Sequence, residues 1–208
     1  MRAFHWTLAA LVATSWVSAE IGGNAMQLHE WSGFTILTLM LFRLLWGFLG
    51  GTHARFKAFV RGPHEVKAYA ASLLRGRPHF HAGHNPLGGW MILALLTSLL
   101  VQAGTGLFAN DDIMAEGPLA KHVSKQTSDL LSKVHEINFD LLLALILLHV
   151  AAVLYYLVVK HDNLIAPMIT GRKDLPEGAD PPVAQIAPLW LAVVLLLACA
   201  GAVYLVIR

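Results

Sequence analysis

The sequence predicts an all-α integral membrane protein, a single membrane domain of five transmembrane helices. Three observations predict it. Of its 208 residues 56% are hydrophobic and 13% are charged, with a mean hydropathy of +0.59, and that charged share is about half of what a soluble domain carries. Five stretches reach the roughly 20 mostly apolar residues that a bilayer-spanning helix needs. Eleven histidines accompany this apolar background, and histidine is costly inside a membrane unless it has a function. The same numbers exclude intrinsic disorder. One cysteine, Cys199, excludes a disulfide scaffold and a cysteine-based metal cluster. A net charge of +2 gives no reason to expect nucleic acid as a partner.

In chain order, the spans are expected at about 4–22, 28–49, 86–108, 134–159 and 188–207. Pro86 and Pro188 stand at positions where a first helical residue tolerates proline. The polar, basic connection 50–85 contains a segment, 63–74, that reads as a short amphipathic helix at the membrane surface. The connection 109–133 carries Asp111, Asp112, Glu116 and Asp129. The last span is apolar all round and ends in Tyr204 and Arg208 as interfacial anchors.

Lys and Arg set the direction of threading. Arg2, Arg55, Lys57, Arg61, Lys67, Arg75, Arg77, Lys160, Arg172 and Lys173 fall on one side. Lys121, Lys125, Lys133 and Arg208 fall on the other. The richer side is expected in the cytoplasm, with the N-terminus inside and the C-terminus outside. A competing reading takes residues 1–20 as a signal peptide, with Val17-Ser18-Ala19 before a cleavage point. Its n-region has a single charge, and His5, Trp6 and Trp16 interrupt the apolar run, so an uncleaved first span is preferred.

Four histidines lie in or at the ends of spans: His5, His29, His135 and His149. The other seven lie in connections, and of these His79, His81 and His84 form a weak candidate metal cluster with no carboxylate or cysteine beside them. Fourteen residues separate His135 from His149, 40° short of four full turns at about 100° per residue, so both share one face of a helix about 21 Å apart. His29 begins its span on the outer side and His5 on the inner side. Two levels result, His29 with His135 outside and His5 with His149 inside.

Histidines facing one another across a bundle core at two depths suit axial ligation of two iron porphyrins. No Cys-x-x-Cys-His is present, so such hemes would be b-type, without thioether bonds. Two plainer readings compete: single hydrogen-bonded core histidines, and a proton relay. A relay needs buried carboxylates at mid-depth, and Glu20, Glu30, Glu136 and Asp140 all lie near the outer ends. Arg43 follows His29 by fourteen residues and reaches the level of His149; a heme propionate would partner it, and snorkelling toward headgroups is the alternative. Gly33 would leave room for a porphyrin face or serve helix packing, and Gly104 and Gly106 carry the same two readings. Trp31, Trp46 and Trp90 read as interfacial belt residues.

Phe4-His5-Trp6, Leu28-His29-Glu30-Trp31-Ser32-Gly33, Val134-His135-Glu136 and Leu148-His149-Val150 together resemble the bacterial di-heme cytochrome b561 family. Phe42-Arg43-Leu44-Leu45-Trp46-Gly47, the run from Gly83 to Gly89, the run from Gly106 to Asp112 and Asn163-Leu164-Ile165 resemble its branch with the cytochrome b subunits of nickel–iron hydrogenases. The resemblance covers about residues 3–175. It implies a four-helix heme-binding bundle over 1–175; beyond it, 176–208 reads from its own apolar run as a linker and a fifth, C-terminal transmembrane helix. It further implies two b-type hemes, the inner one held by His5 and His149 and the outer one by His29 and His135, in the bacterial inner membrane.

The function expected is transmembrane electron transfer between the quinone pool and a periplasmic c-type cytochrome, a hydrogenase-like redox partner or another membrane-bound one. The chain would be an electron-transfer protein or the cytochrome b subunit of an oxidoreductase complex, with no catalytic residue of its own. The acidic connection around Asp111, Asp112 and Glu116 would steer a basic partner or be an ordinary solvated loop. Two alternatives remain: a stand-alone oxidase passing electrons from a small species such as superoxide to quinone, and a non-redox membrane anchor or transporter.

Overall fold

The computed structural model describes residues 1–75, 85–112, 115–172 and 185–208. The candidate cluster His79, His81 and His84 lies outside the described residues. Among the described residues eight α-helices follow in chain order: α1 (Arg2–Ile21), α2 (Met26–Leu49), α3 (Phe56–Phe59), α4 (Pro63–Leu74), α5 (Pro86–Gly106), α6 (Lys125–Val158), α7 (Ile165–Thr170) and α8 (Leu189–Ile207). Among the described residues there is no strand, only a single antiparallel bridge between Asn110 and Glu116.

The five expected long helices are all present. Four of them, α2, α5, α6 and α8, are both long and apolar enough to cross a membrane. α1 has the length, at 20 residues, but His5, Thr7, Thr14, Ser15, Ser18 and Glu20 dilute its apolar run. The largest departure from expectation is the start of α6, nine residues before the expected span. Ser124 explains it: its side-chain oxygen accepts from the Thr127 amide at 3.2 Å and caps the helix. At 34 residues α6 is about 51 Å long, against a hydrocarbon core of about 30 Å. Its first turns therefore stand clear of the bilayer, where Lys125 pairs with both Asp112 and Asp129.

The long helices form two hairpins. α1 packs on α2, α5 packs on α6, and the hairpins meet where α2 touches α5. The core sits there: Ile36, Met40, Leu96, Leu99 and Leu142 are buried together. Leu142 lies midway in sequence between His135 and His149, so this apolar layer separates the two histidine levels. α8 packs on the other side of α2. Its approach is pinned at the inner end of α2, where the Thr52 amide donates to the Gln185 carbonyl and the Gln185 amide to the Thr52 hydroxyl, each at 3.0 Å. The outward faces are apolar, with Leu147, Leu148 and Val158 more than half exposed, which is the surface a lipid-facing helix presents.

Candidate functional site

Each level of the bundle brings two imidazoles together from different hairpins. At the outer level, His29 of α2 faces His135 of α6, with ring centres 6.2 Å apart and planes at 78°. At the inner level, His5 of α1 faces His149 of α6 at 6.5 Å and 55°. With metal–imidazole bonds of about 2.0 Å and about 1.1 Å from nitrogen to ring centre, two imidazoles on opposite sides of one metal set their centres roughly 6.2 Å apart. Both pairs have that spacing. Among the described residues no three His, Cys, Asp or Glu side chains converge on one point. The donor set at each level is two imidazoles, which fits a group that takes two nitrogens from its protein, such as a b-type heme.

The outer pair is held by hydrogen bonds that fix which nitrogen faces inward. His29 Nδ1 lies 2.9 Å from the Ser15 carbonyl and 3.1 Å from the Ser15 hydroxyl on the adjacent α1. His135 Nδ1 lies 2.9 Å from the Gln102 carbonyl and 3.2 Å from the Thr105 hydroxyl on the adjacent α5. A carbonyl only accepts, so each Nδ1 carries the proton and each Nε2 keeps its lone pair. Carbonyl-anchored histidines of this kind are what metal ligation uses to orient and strengthen a ligand. Just inside this level, Asn138 donates to the Ser98 carbonyl at 3.0 Å and to Gln102 Oε1 at 2.7 Å, and accepts from Ser98 Oγ at 3.2 Å. This polar clasp joins α5 to α6 beside His135. Sequence reading missed it, because Ser, Gln and Asn on two different spans give no joint signal.

The inner level has the opposite character. His5 Nδ1 is buried with no hydrogen-bond partner. Nearby, Arg43 is 4% exposed, and one of its terminal nitrogens is buried and unpartnered. Its guanidinium lies over the rings of Phe56 and Phe59, at 4.9 and 5.8 Å from their centres. This cation is enclosed under aromatic rings rather than open at the surface. The Met1 amine at the start of α1 is held below its ordinary pKa by burial first, and then by the charges of Arg2 and Arg43. A buried cation with a spare donor fits an anionic group such as a propionate carboxylate.

The glycines divide. A Cβ built on Gly33 or on Gly104 meets no atom within 4 Å, whereas on Gly106 it would come within 3.0 Å of His135 Cε1. Gly106 is thus the packing glycine that admits the His135 ring, and Gly33 borders open space one turn from His29. Gly47 admits the Phe56 ring, which would clash with a Cβ there, and so seats the aromatic cover of Arg43. Of the tryptophans, Trp31 and Trp90 are exposed as a belt requires, and Trp90 Nε1 also donates to the Arg61 carbonyl at 2.9 Å. Trp46 instead stacks on Phe42 at 5.5 Å. The acidic connection is partly engaged in its own fold: Asp111 accepts from the Ala115 amide at 2.8 Å and Asp112 pairs with Lys125 at 2.7 Å.

A family model described as prokaryotic cytochrome b561, which takes in the cytochrome b of nickel hydrogenases, matches residues 1–171. The match contains both hairpins and all four histidines and stops before α8. No curated protein and no solved structure matches the chain.

Proposed function

Because the chain belongs to the prokaryotic cytochrome b561 family of membrane electron-transfer proteins, we propose that it is a di-heme b-type cytochrome that carries electrons across the bacterial inner membrane. The observation that carries this reading is the pairing of four histidines at two levels, with ring centres 6.2 and 6.5 Å apart. His29 and His135 would hold the outer heme, and His5 and His149 the inner one. When bound, each heme supplies a one-electron ferric/ferrous couple, and two histidines leave its iron no open position for oxygen chemistry.

The chain's own residues do the rest. The Ser15 and Gln102 carbonyls orient the outer imidazoles, Arg43 would balance an inner propionate, and Ile36, Met40, Leu96, Leu99 and Leu142 keep water out between the levels. Electrons would pass between a periplasmic or membrane-bound redox partner, such as a c-type cytochrome or a hydrogenase-like protein, and the quinone pool.

Heme quantitation on the purified chain tests this. The expected result is two b-type hemes per chain, one lost in His5→Ala and the other in His135→Ala. A colourless wild-type protein overturns the proposal.

A further inference from the structure

The start of α1 is held by a segment far along the chain. Arg2 Nη1 donates to the Ile169 carbonyl at 2.6 Å, and Trp6 Nε1 to the Met168 carbonyl at 3.0 Å. Both carbonyls belong to α7. The chain reaches α7 from α6 by a reversal in which the Val159 and Asp162 amides donate back to the Tyr155 and Tyr156 carbonyls at 2.8 and 3.0 Å. Both ends of α7 are fixed. Asn163 Oδ1 accepts from the Ile165 and Ala166 amides, each at 3.0 Å. Gly171 closes the other end at φ +80°, a left-handed conformation that favours glycine. It also admits Arg2, whose Cζ lies 2.7 Å from where a Cβ would stand. This link matters for geometry. α1 packs on α2 and α6 packs on α5, yet His5 of α1 and His149 of α6 face each other at 6.5 Å. The Trp6 and His5 rings meet at 5.1 Å and 87°, so the residue that grips α7 also touches the inner-level imidazole.

We propose that α7 is a strap that positions the inner histidine pair. By taking the Arg2 guanidinium and the Trp6 indole N–H on its last carbonyls, it fixes the start of α1 against the end of α6 and keeps His5 in line with His149. A guanidinium and an indole N–H on two successive carbonyls give two fixed points, and two points set the rotation of α1 as well as its distance. Arg2 and Trp6 are positioning residues in this account, since both act through His5. A ligand supported in this way keeps its geometry only while its support holds. The outer pair has its own support, the Ser15 and Gln102 carbonyls on the adjacent helix of each hairpin, and does not depend on the strap. The inference rests on the di-heme reading above and adds a support for the inner site.

Electron paramagnetic resonance of the oxidised, full-length purified protein tests the strap, because the signal of a ferric heme with two histidines follows the relative orientation of their ring planes. The wild type should show two low-spin signals, and His135→Ala should keep only the inner one. Trp6→Phe retains an aromatic ring beside His5 and deletes the N–H. It should shift the inner signal, speed transfer of the inner heme to apomyoglobin several-fold, and leave the outer signal in place. Gly171→Val strains the strap from its own end and should shift the inner signal as well. A role in stability alone would move neither signal. Where one variant fails to fold, the other decides. An unmoved inner signal in either folded variant, or equal shifts of both signals, overturns the inference. A wild type without two hemes defeats the di-heme reading itself. Two hemes with an unmoved inner signal defeat only the strap.

Discussion

Gly33 lies one turn from His29 and Gly106 lies against His135, and each does without a side chain for a different reason. Gly106 has the His135 ring against it, at 3.0 Å from where a Cβ would stand. Gly106→Val should push that ring out of line with His29 and loosen the Gln102 and Thr105 bonds, since overpacking costs about 1–3 kcal/mol. Gly33 has nothing within 4 Å of such a Cβ. Gly33→Val should therefore leave the melting temperature of the heme-free chain unchanged, yet cut heme content from two per chain to one. Thermal melts and heme quantitation on the same preparations separate the two effects. The histidines were legible in the sequence because imidazole in an apolar span demands an explanation, and because fourteen residues return a helix to nearly the same face. Their carbonyl partners were not legible. Every residue has a carbonyl, so nothing in the letters Ser15 or Gln102 marks which one a ring will meet.

At the scale of elements, the surface helix α4 occupies the range read from the sequence, 63–74, because Pro63 opens it and its polar and apolar residues alternate at helical spacing. What anchors it was hidden. The Tyr69 hydroxyl meets the Tyr156 hydroxyl at 2.7 Å, and Asn85 Nδ2 donates to the same Tyr156 oxygen at 2.9 Å. Asn85 also caps α5, its Oδ1 accepting from the Gly88 amide at 2.7 Å. One hydroxyl thus ties the surface helix, the start of α5 and the end of α6 together at the inner face. Tyr156→Phe removes two hydrogen bonds worth about 1 kcal/mol each. It should destabilise the protein by about 1–2 kcal/mol in reversible denaturation while leaving both hemes in place. The early start of α6 escaped notice for a related reason. Hydropathy registers the bilayer, whereas the turns from Lys125 to Lys133 are held by the Ser124 cap and by the Lys125–Asp129 and Lys133–Glu136 pairs.

At the scale of the molecule, charge and geometry agree on a direction. The chain that leads into α8 is pinned beside Thr52, at the same end of the bundle as α4 and the start of α1. α8 therefore runs antiparallel to α2 and ends at the opposite face. With Lys and Arg concentrated at the α4 end, the rule that basic connections stay inside supports the proposed threading, with the start of α1 on the cytoplasmic side and the end of α8 outside. Alkaline phosphatase fused after Arg208 should be active, and the same fusion placed after Arg75 should be silent. The opposite pattern would invert the proposed inner and outer levels.

Because α6 contributes one ring to each level and its partners come from α1 and α2, the prosthetic groups would bridge hairpins that otherwise touch mainly through α2 and α5. This has a bearing on biogenesis. Under the di-heme reading the cofactors would act as late rivets that fasten one hairpin to the other. Under heme starvation the newly made chain should insert normally but stay splayed, and a pulse-chase should show it cleared by membrane proteases several times faster than in replete cells. Abundance in the cell would then follow heme supply without any change in transcription.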